Sequence, residues 1–336
     1  MKSTFEPGGA APEAAPAERR RRLDGRLVVL LVVIALSTRG LLRGSLDPVA
    51  LRTWTTVFVA IVVQALPFLV VGVLVSGAIT ALVSPAVLQR ALPRSTLLAV
   101  PGAALAGTAL PGCECASVPV AGRLCARGVQ PAAAVAFMLA APAVNPIVLV
   151  ATAVAFPGQP EMVLARFLGS LGTAMLVGLV WSRVGGQAWV DRARDRLAAA
   201  DGPRWPAFAS AARHDLWDAG GWLVVGAAAA ATLQVVVPRS WLLAVAGHPV
   251  LSVLALGALA VLLAICSEAD AFVAASLREF SLTARLVFLV VGPAVDVKLI
   301  AMHTGVFGRR FAARFAPLTF AAAVVCALAA AQVVLR

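Results

Sequence analysis

The chain has 336 residues, 61% hydrophobic and 13% charged, with a formal net charge of +12. Soluble domains carry about 25% charged residues, yet between Trp54 and Trp181 only two acids occur, Glu114 and Glu161. This excludes a soluble enzyme, a nucleic-acid-binding domain and a disordered protein, and leaves an all-α, polytopic integral membrane protein. Lys2 and Lys298 are the only lysines among the 28 basic residues. The arginines sit mostly between apolar runs, where they act as topology signals. Five cysteines, an odd number with Cys113, Cys115 and Cys125 close together, are not a disulfide framework.

In chain order, residues 1–22 read as a disordered tail ending in a basic cluster, and 23–44 as an uncleaved anchor helix, because Arg39 and Arg43 follow its apolar run. A first membrane repeat is expected over 50–181. Its apolar runs are 54–83 (with Pro67 as the expected kink), 95–110, 143–156 and 162–181. Between them, 111–141 is apolar but interrupted by Pro and Gly. Residues 182–215 form an arginine-rich polar stretch. A second repeat over 216–336 has apolar runs at 216–237, 249–265, 294–307 and 315–335 and a broken region at 266–293.

The halves are related in sequence. Cys115 precedes Pro142-Ala143-Val144-Asn145, and Cys266 precedes Pro293-Ala294-Val295-Asp296, with the same offset of 151 positions. Leu69-Val70-Val71-Gly72 matches Leu223-Val224-Val225-Gly226 at a similar offset. Two homologous halves follow. If the basic N-terminus and the 182–215 loop are both cytoplasmic, the crossings between them are even in number. The broken 111–141 region then crosses once as a discontinuous helix, and each repeat holds five crossings and is inverted against the other.

The strongest motif is Pro111-Gly112-Cys113-Glu114-Cys115 through Pro119. Pro111, Gly112 and Pro119 are expected to unwind a helix at membrane depth, where free backbone is tolerated only in a cavity or against protein. In an unwound segment Cys113 and Cys115 face the same way. They can hold a soft metal or metalloid as a transported ligand, or pack as small apolar residues. Glu114 between them is an intramembrane charge, and the second half supplies Cys266, Glu268 and Asp270. The breaks at Pro142, Asn145 and Pro146 and at Gly292, Pro293 and Asp296 put a polar residue at the start of an apolar helix. Asn145 and Asp296 can cap those helices, and Asp296 can pair with Lys298. Arg123, Arg127, Arg278 and Arg285 are expected to snorkel near the turns. Trp54, Trp181, Trp217, Trp222 and Trp241 are expected to act as interfacial anchors.

Residues 110–156, from Leu110-Pro111-Gly112-Cys113-Glu114-Cys115 through Ala143-Val144-Asn145-Pro146-Ile147, resemble the first signature of the predicted-permease family that includes the organoarsenical efflux permeases. Cys266-Ser267-Glu268-Ala269-Asp270 and Gly292-Pro293-Ala294-Val295-Asp296-Val297-Lys298 resemble its second. The resemblance covers about residues 50–335. It implies an inner-membrane permease with functional positions at Cys113, Glu114, Cys115, Pro142, Asn145, Cys266, Asp270, Pro293, Asp296 and Lys298. The sequence reading is thus a multi-pass plasma-membrane permease, not an enzyme, with a cytoplasmic N-terminus. It is expected to be proton-coupled and to export a small solute, a thiophilic metal or metalloid among the candidates. No P-loop and no cofactor motif is present. The expected partners are the bilayer and the solute, with no nucleic acid and a homo-oligomer allowed. The alternative is a membrane thiol protein relaying redox equivalents through Cys113, Cys115 and Cys266.

Overall fold

The computed structural model describes residues 48–82, 95–109, 114–185, 204–236 and 248–335. The tail at 1–22, the anchor at 23–44, Trp241, and the motif residues Pro111, Gly112 and Cys113 lie outside the described residues. Within them the fold is all α. The helices are α1 (Pro48–Leu82), α2 (Thr96–Gly107), α3 (Glu114–Ala126), α4 (Pro131–Ala143), α5 (Pro146–Ala155), α6 (Pro160–Val184), α7 (Arg204–Val236), α8 (Pro249–Leu263), α9 (Asp270–Ser276), α10 (Leu282–Ala294), α11 (Val297–Val306) and α12 (Arg309–Val334). Pro67 lies inside α1, which runs unbroken through it. The helix of the second half begins at Arg204, inside the stretch expected to be a loop.

Helices α1 to α6 and α7 to α12 follow one another in the same pattern. Each half has a long helix, two short ones, then helices of 13 and 10 residues, then one of 25 or 26. Residues Val49–Ile79, Pro131–Ala155, Pro160–Val184, Leu282–Val306 and Arg309–Val334 are long and apolar enough to cross a bilayer.

The described part of the 111–141 region holds two helices, α3 and most of α4, joined by a turn at Gly128. Its helix α3 is 13 residues, about 20 Å at 1.5 Å per residue, too short for a hydrocarbon core of about 30 Å. The chain then reverses at Gly128, φ 92°, where Val129 N–H donates to Leu124 O and Gly128 N–H to Cys125 O. That is a glycine-terminated helix end, and Pro131 starts the next helix where its missing N–H costs nothing. Helix α2 runs parallel to α4: Thr96 meets Gln130 at one end, and Gly107 approaches Ala140 and Ala141 at the other. Helix α3 therefore runs opposite to α2, so the chain enters along α2 and returns along α3. In the second half Gly257 meets Val287, which sets α8 along α10. Gly292 faces Asp270 while Arg285 reaches Ala274, which sets α9 antiparallel to α10.

The other expected breaks fall slightly later than the prolines. Pro119, Pro142 and Pro293 are inside helices, and the helices end at Ala143 and Ala294, after which Asn145 and Asp296 cap the next ones. Each proline lacks the N–H that would bond the carbonyl four residues back, which weakens the first half of α3 at Pro119 and the last turns of α4 and α10 at Pro142 and Pro293 without ending them there. Each break falls about halfway along a 25-residue span. The long helices α1 and α7 pack on each other, as do α6 and α12. Trp181 is buried against Phe311 and Phe315 instead of anchoring an interface.

Candidate functional site

Four chain breaks gather buried polar side chains that an apolar core otherwise excludes. Glu114 is acidic in the first turn of α3, where the helix N-terminus favours a negative charge. Its Oε1 accepts from Lys298 Nζ at the start of α11, with both side chains buried. Lys298 also reaches Asp296 Oδ2 at 3.7 Å, the Ala264 carbonyl at 3.4 Å and Cys266 Sγ at 4.0 Å. Cys115 is within electrostatic reach of the same ammonium. Asp296 is thus shared: Oδ1 caps α11 by accepting from Leu299 N–H, while Oδ2 faces Lys298. In the first half Asn145 Oδ1 accepts from Val148 N–H at 3.0 Å and Nδ2 donates to Ala141 O at 3.0 Å. Cap and pair, two readings of Asp296 from sequence, are both present in the geometry.

The break between α8 and α9 is placed by α6. Arg166 is fully buried. Its Nη2 donates to Asp270 Oδ2 at 2.8 Å and to the Ser267 carbonyl at 3.1 Å, and its Nη1 donates to Thr152 Oγ1 at 2.8 Å. Glu268 lies in the same break, two residues before Asp270 and two after Cys266. Both its carboxylate oxygens are buried with no hydrogen-bond partner among the described residues, as are Glu114 Oε2 and Asp270 Oδ1. Four carboxylates (Glu114, Glu268, Asp270 and Asp296) thus stand against two cations, Lys298 and Arg166, and the atoms in want of partners are mostly acceptors. Such a cluster is suited to taking up protons or a cation.

Close backbone contact holds this arrangement. A Cβ on Gly72 would lie 2.4 Å from the Ala116 Cα, and one on Gly226 would lie 2.7 Å from the Lys298 Cα. The matched glycines of α1 and α7 therefore admit the N-terminal turns of α3 and α11, which carry Glu114 and Lys298.

The structure brings together Glu114, Cys115, Cys266, Glu268, Asp270, Asp296 and Lys298. Asn145 lies at the equivalent break and keeps to its capping bonds. Cys115 is in the first turn of a helix, so the argument that an unwound segment turns it the same way as Cys113 does not hold for it. No disulfide joins the cysteines among the described residues. Among the described residues no group of three or more His, Cys, Asp or Glu is arranged to hold a metal ion.

Sequence reasoning missed Arg166, Asp215 and Ser76. Arg123, expected to snorkel, is instead buried: its Nε and Nη2 donate to Asp215 Oδ2 and Oδ1 at 3.2 and 2.9 Å, and Ser76 Oγ donates to Asp215 Oδ2 at 2.6 Å. Arg285 does hold a turn, through the carbonyls of Ala274 and Ala275 and over the Phe156 ring.

Residues 50–332 match the model of a family described as predicted permease. The chain belongs to the predicted permease family. Relatives of this permease include UPF0718 protein YcgR of Bacillus subtilis, 36% identical over 76% of this chain and 89% of that protein. Another is the "Putative two-component membrane permease complex subunit" of Streptococcus mutans, 31% identical over 77% of this chain and 88% of that one. No solved structure matches the permease.

Proposed function

We propose that the permease is a secondary transporter that exports a small thiophilic solute, a trivalent metalloid or soft metal species, with proton coupling at the buried cluster. The observation that carries this reading is that the ammonium of Lys298 holds Glu114 of the first half and lies 4.0 Å from Cys266 Sγ of the second, with Cys115 next to Glu114 in the first turn of α3. Thiols are the ligands that soft species prefer, and the ammonium balances the charge of a thiolate formed on capture. Capture of a soft cation by thiols releases protons, and Glu268, two residues after Cys266, would receive one. Small oxygen-ligated solutes have no comparable reason to need two thiols there.

The same reading fixes an architecture. Counting α1, α4 with α5, and α6 as crossings gives three per half, an odd number that sets the halves in opposite orientations. With the expected anchor at 23–44, four crossings separate a cytoplasmic N-terminus from the arginine-rich segment at 182–215, in keeping with the positive-inside rule. The inverted halves would meet at the plasma-membrane midplane.

The test is thermal unfolding of purified protein with phenylarsenite. Ligand at about a hundred times its Kd stabilises the folded state by about 2.7 kcal/mol. A rise in melting temperature that disappears in Cys115→Ser/Cys266→Ser supports the thiophile reading. No rise in the unaltered protein overturns it.

A further inference from the structure

We propose that Arg166 is a positioning residue of the transport site, holding the second break so that Cys266 and Glu268 face the Lys298 cluster. The functional consequence rests on the transport reading above, whereas the positioning itself rests on geometry alone. Arg166 belongs to α6, outside both signature motifs in sequence, and its side chain has no exposure. One guanidinium reaches three places: Thr152 on α5, the Ser267 carbonyl in the break, and Asp270 at the start of α9. A planar fork of fixed donors can bridge these simultaneously, which a lysine ammonium on its flexible stem does less well.

The break calls for such a brace. Residues 264–269 belong to no helix, and Ala264 takes a left-handed backbone, φ 49°, which only glycine adopts without strain. Irregular backbone at membrane depth persists where protein groups satisfy it. Here the Ala264 carbonyl accepts from Lys298 and the Ser267 carbonyl from Arg166.

The two breaks are braced crosswise. Glu114, at the first break, is met by a cation of the second half, and Asp270, at the second break, by a cation of the first half. The 151 positions between the starts of α5 and α11 carry Lys298 onto Ile147, and the 149 between the starts of α6 and α12 carry Arg166 onto Phe315. Neither is basic, so the cations are not copies of one ancestral position. The same task is filled twice from unrelated places, which marks Arg166 as the counterpart of Lys298.

The test uses the full-length protein in liposomes. N-ethylmaleimide labelling of Cys266 is followed by peptide mapping, with Cys125 as an internal control. Both thiols are buried, but Cys125 lies at the far end of α3 from the breaks. Arg166→Gln is expected to speed Cys266 labelling about ten-fold through local opening while leaving Cys125 unchanged. Arg166→Asp/Asp270→Arg restores the slow rate, and Thr152→Val, which removes one of the three bonds, gives a smaller acceleration. Unchanged Cys266 labelling, or equal acceleration of both thiols, overturns the proposal. If Arg166→Gln does not fold, Thr152→Val decides by the same criterion. Phenylarsenite melting shifts measured in parallel keep the two ideas apart. No shift in the unaltered protein sinks the thiophile reading, whereas selective Cys266 acceleration sustains the role of Arg166 regardless.

Discussion

Lys298 on α11 meets Glu114 on α3 across 184 positions of sequence, with neither side chain more than 1% exposed. The two helices carrying them come from opposite halves, so this contact joins the first break to the start of α11. Breaking a buried pair by removing one partner costs about 3–5 kcal/mol, because the survivor is left charged and uncompensated. Lys298→Met leaves both Glu114 and Asp296 without their cation. Glu114→Gln leaves Lys298 with Asp296 at 3.7 Å. The lysine variant is therefore expected to lower the unfolding temperature more than the glutamate variant. The double variant should cost less than the sum of the two singles, and additive losses in thermal unfolding would show that the pair is not coupled.

Gly72 and Gly226 make a second prediction with its control in the same chain. A methyl group at either would meet backbone, that of Ala116 at 2.4 Å and that of Lys298 at 2.7 Å, and backbone does not yield as a side-chain tip does. Overpacking of this kind costs about 1–3 kcal/mol. Gly102→Ala, on α2, meets nothing within 4 Å, and alanine gains about 1 kcal/mol of helix propensity there. Thermal unfolding should separate Gly72→Ala and Gly226→Ala, both destabilised, from Gly102→Ala, unchanged or stabilised.

The Arg123–Asp215 pair ties the C-terminal turn of α3 to α7, with Ser76 of α1 donating to the same carboxylate. Two parallel bonds from one guanidinium give this pair a fixed geometry. Asp215→Ala removes the buried carboxylate that Arg123 pairs with and is expected to cost about 3–5 kcal/mol. Ser76→Ala removes one hydrogen bond to a charged group, worth about 1.5–3 kcal/mol. In an Asp215→Ala background the serine change should cost less than it does alone, and an equal loss would show that the two residues are not coupled.

How much of this was legible in the sequence depends on the kind of signal. Glu114, Asp296 and Lys298 stand out because each is an ionisable residue in an apolar run near Pro or Gly, and Asp270 because it follows Cys266 and Glu268 in an otherwise apolar stretch. Arg166 lies six residues into α6, near Glu161, where an arginine ordinarily marks an interface. Only the packing of α5 and α9 around it shows that it is buried. Asp215 was hidden in the same way, inside a polar stretch that folds as the first turns of α7. The hairpin at Gly128 was available and went unread, since Gly128 followed by Pro131 is a helix stop and start. Counting that region as one crossing gave five per half. Among the described residues, three stretches of the first half and two of the second are long and apolar enough to cross a bilayer.

Asp296 separates stability from transport. Its Oδ1 caps α11, a bond worth about 1 kcal/mol, and its Oδ2 faces Lys298 at 3.7 Å. Asparagine keeps the capping oxygen and removes the charge, and Asn145 already does this work at the matching break. Asp296→Asn should therefore melt close to the unaltered protein, while Asp296→Ala loses the cap as well and melts lower. If the carboxylate takes part in proton coupling, the asparagine variant will bind phenylarsenite in a thermal-shift assay yet fail to export it from proteoliposomes under a pH gradient. If Asp296 acts only as a cap, Asp296→Asn will transport normally and only Asp296→Ala will be impaired.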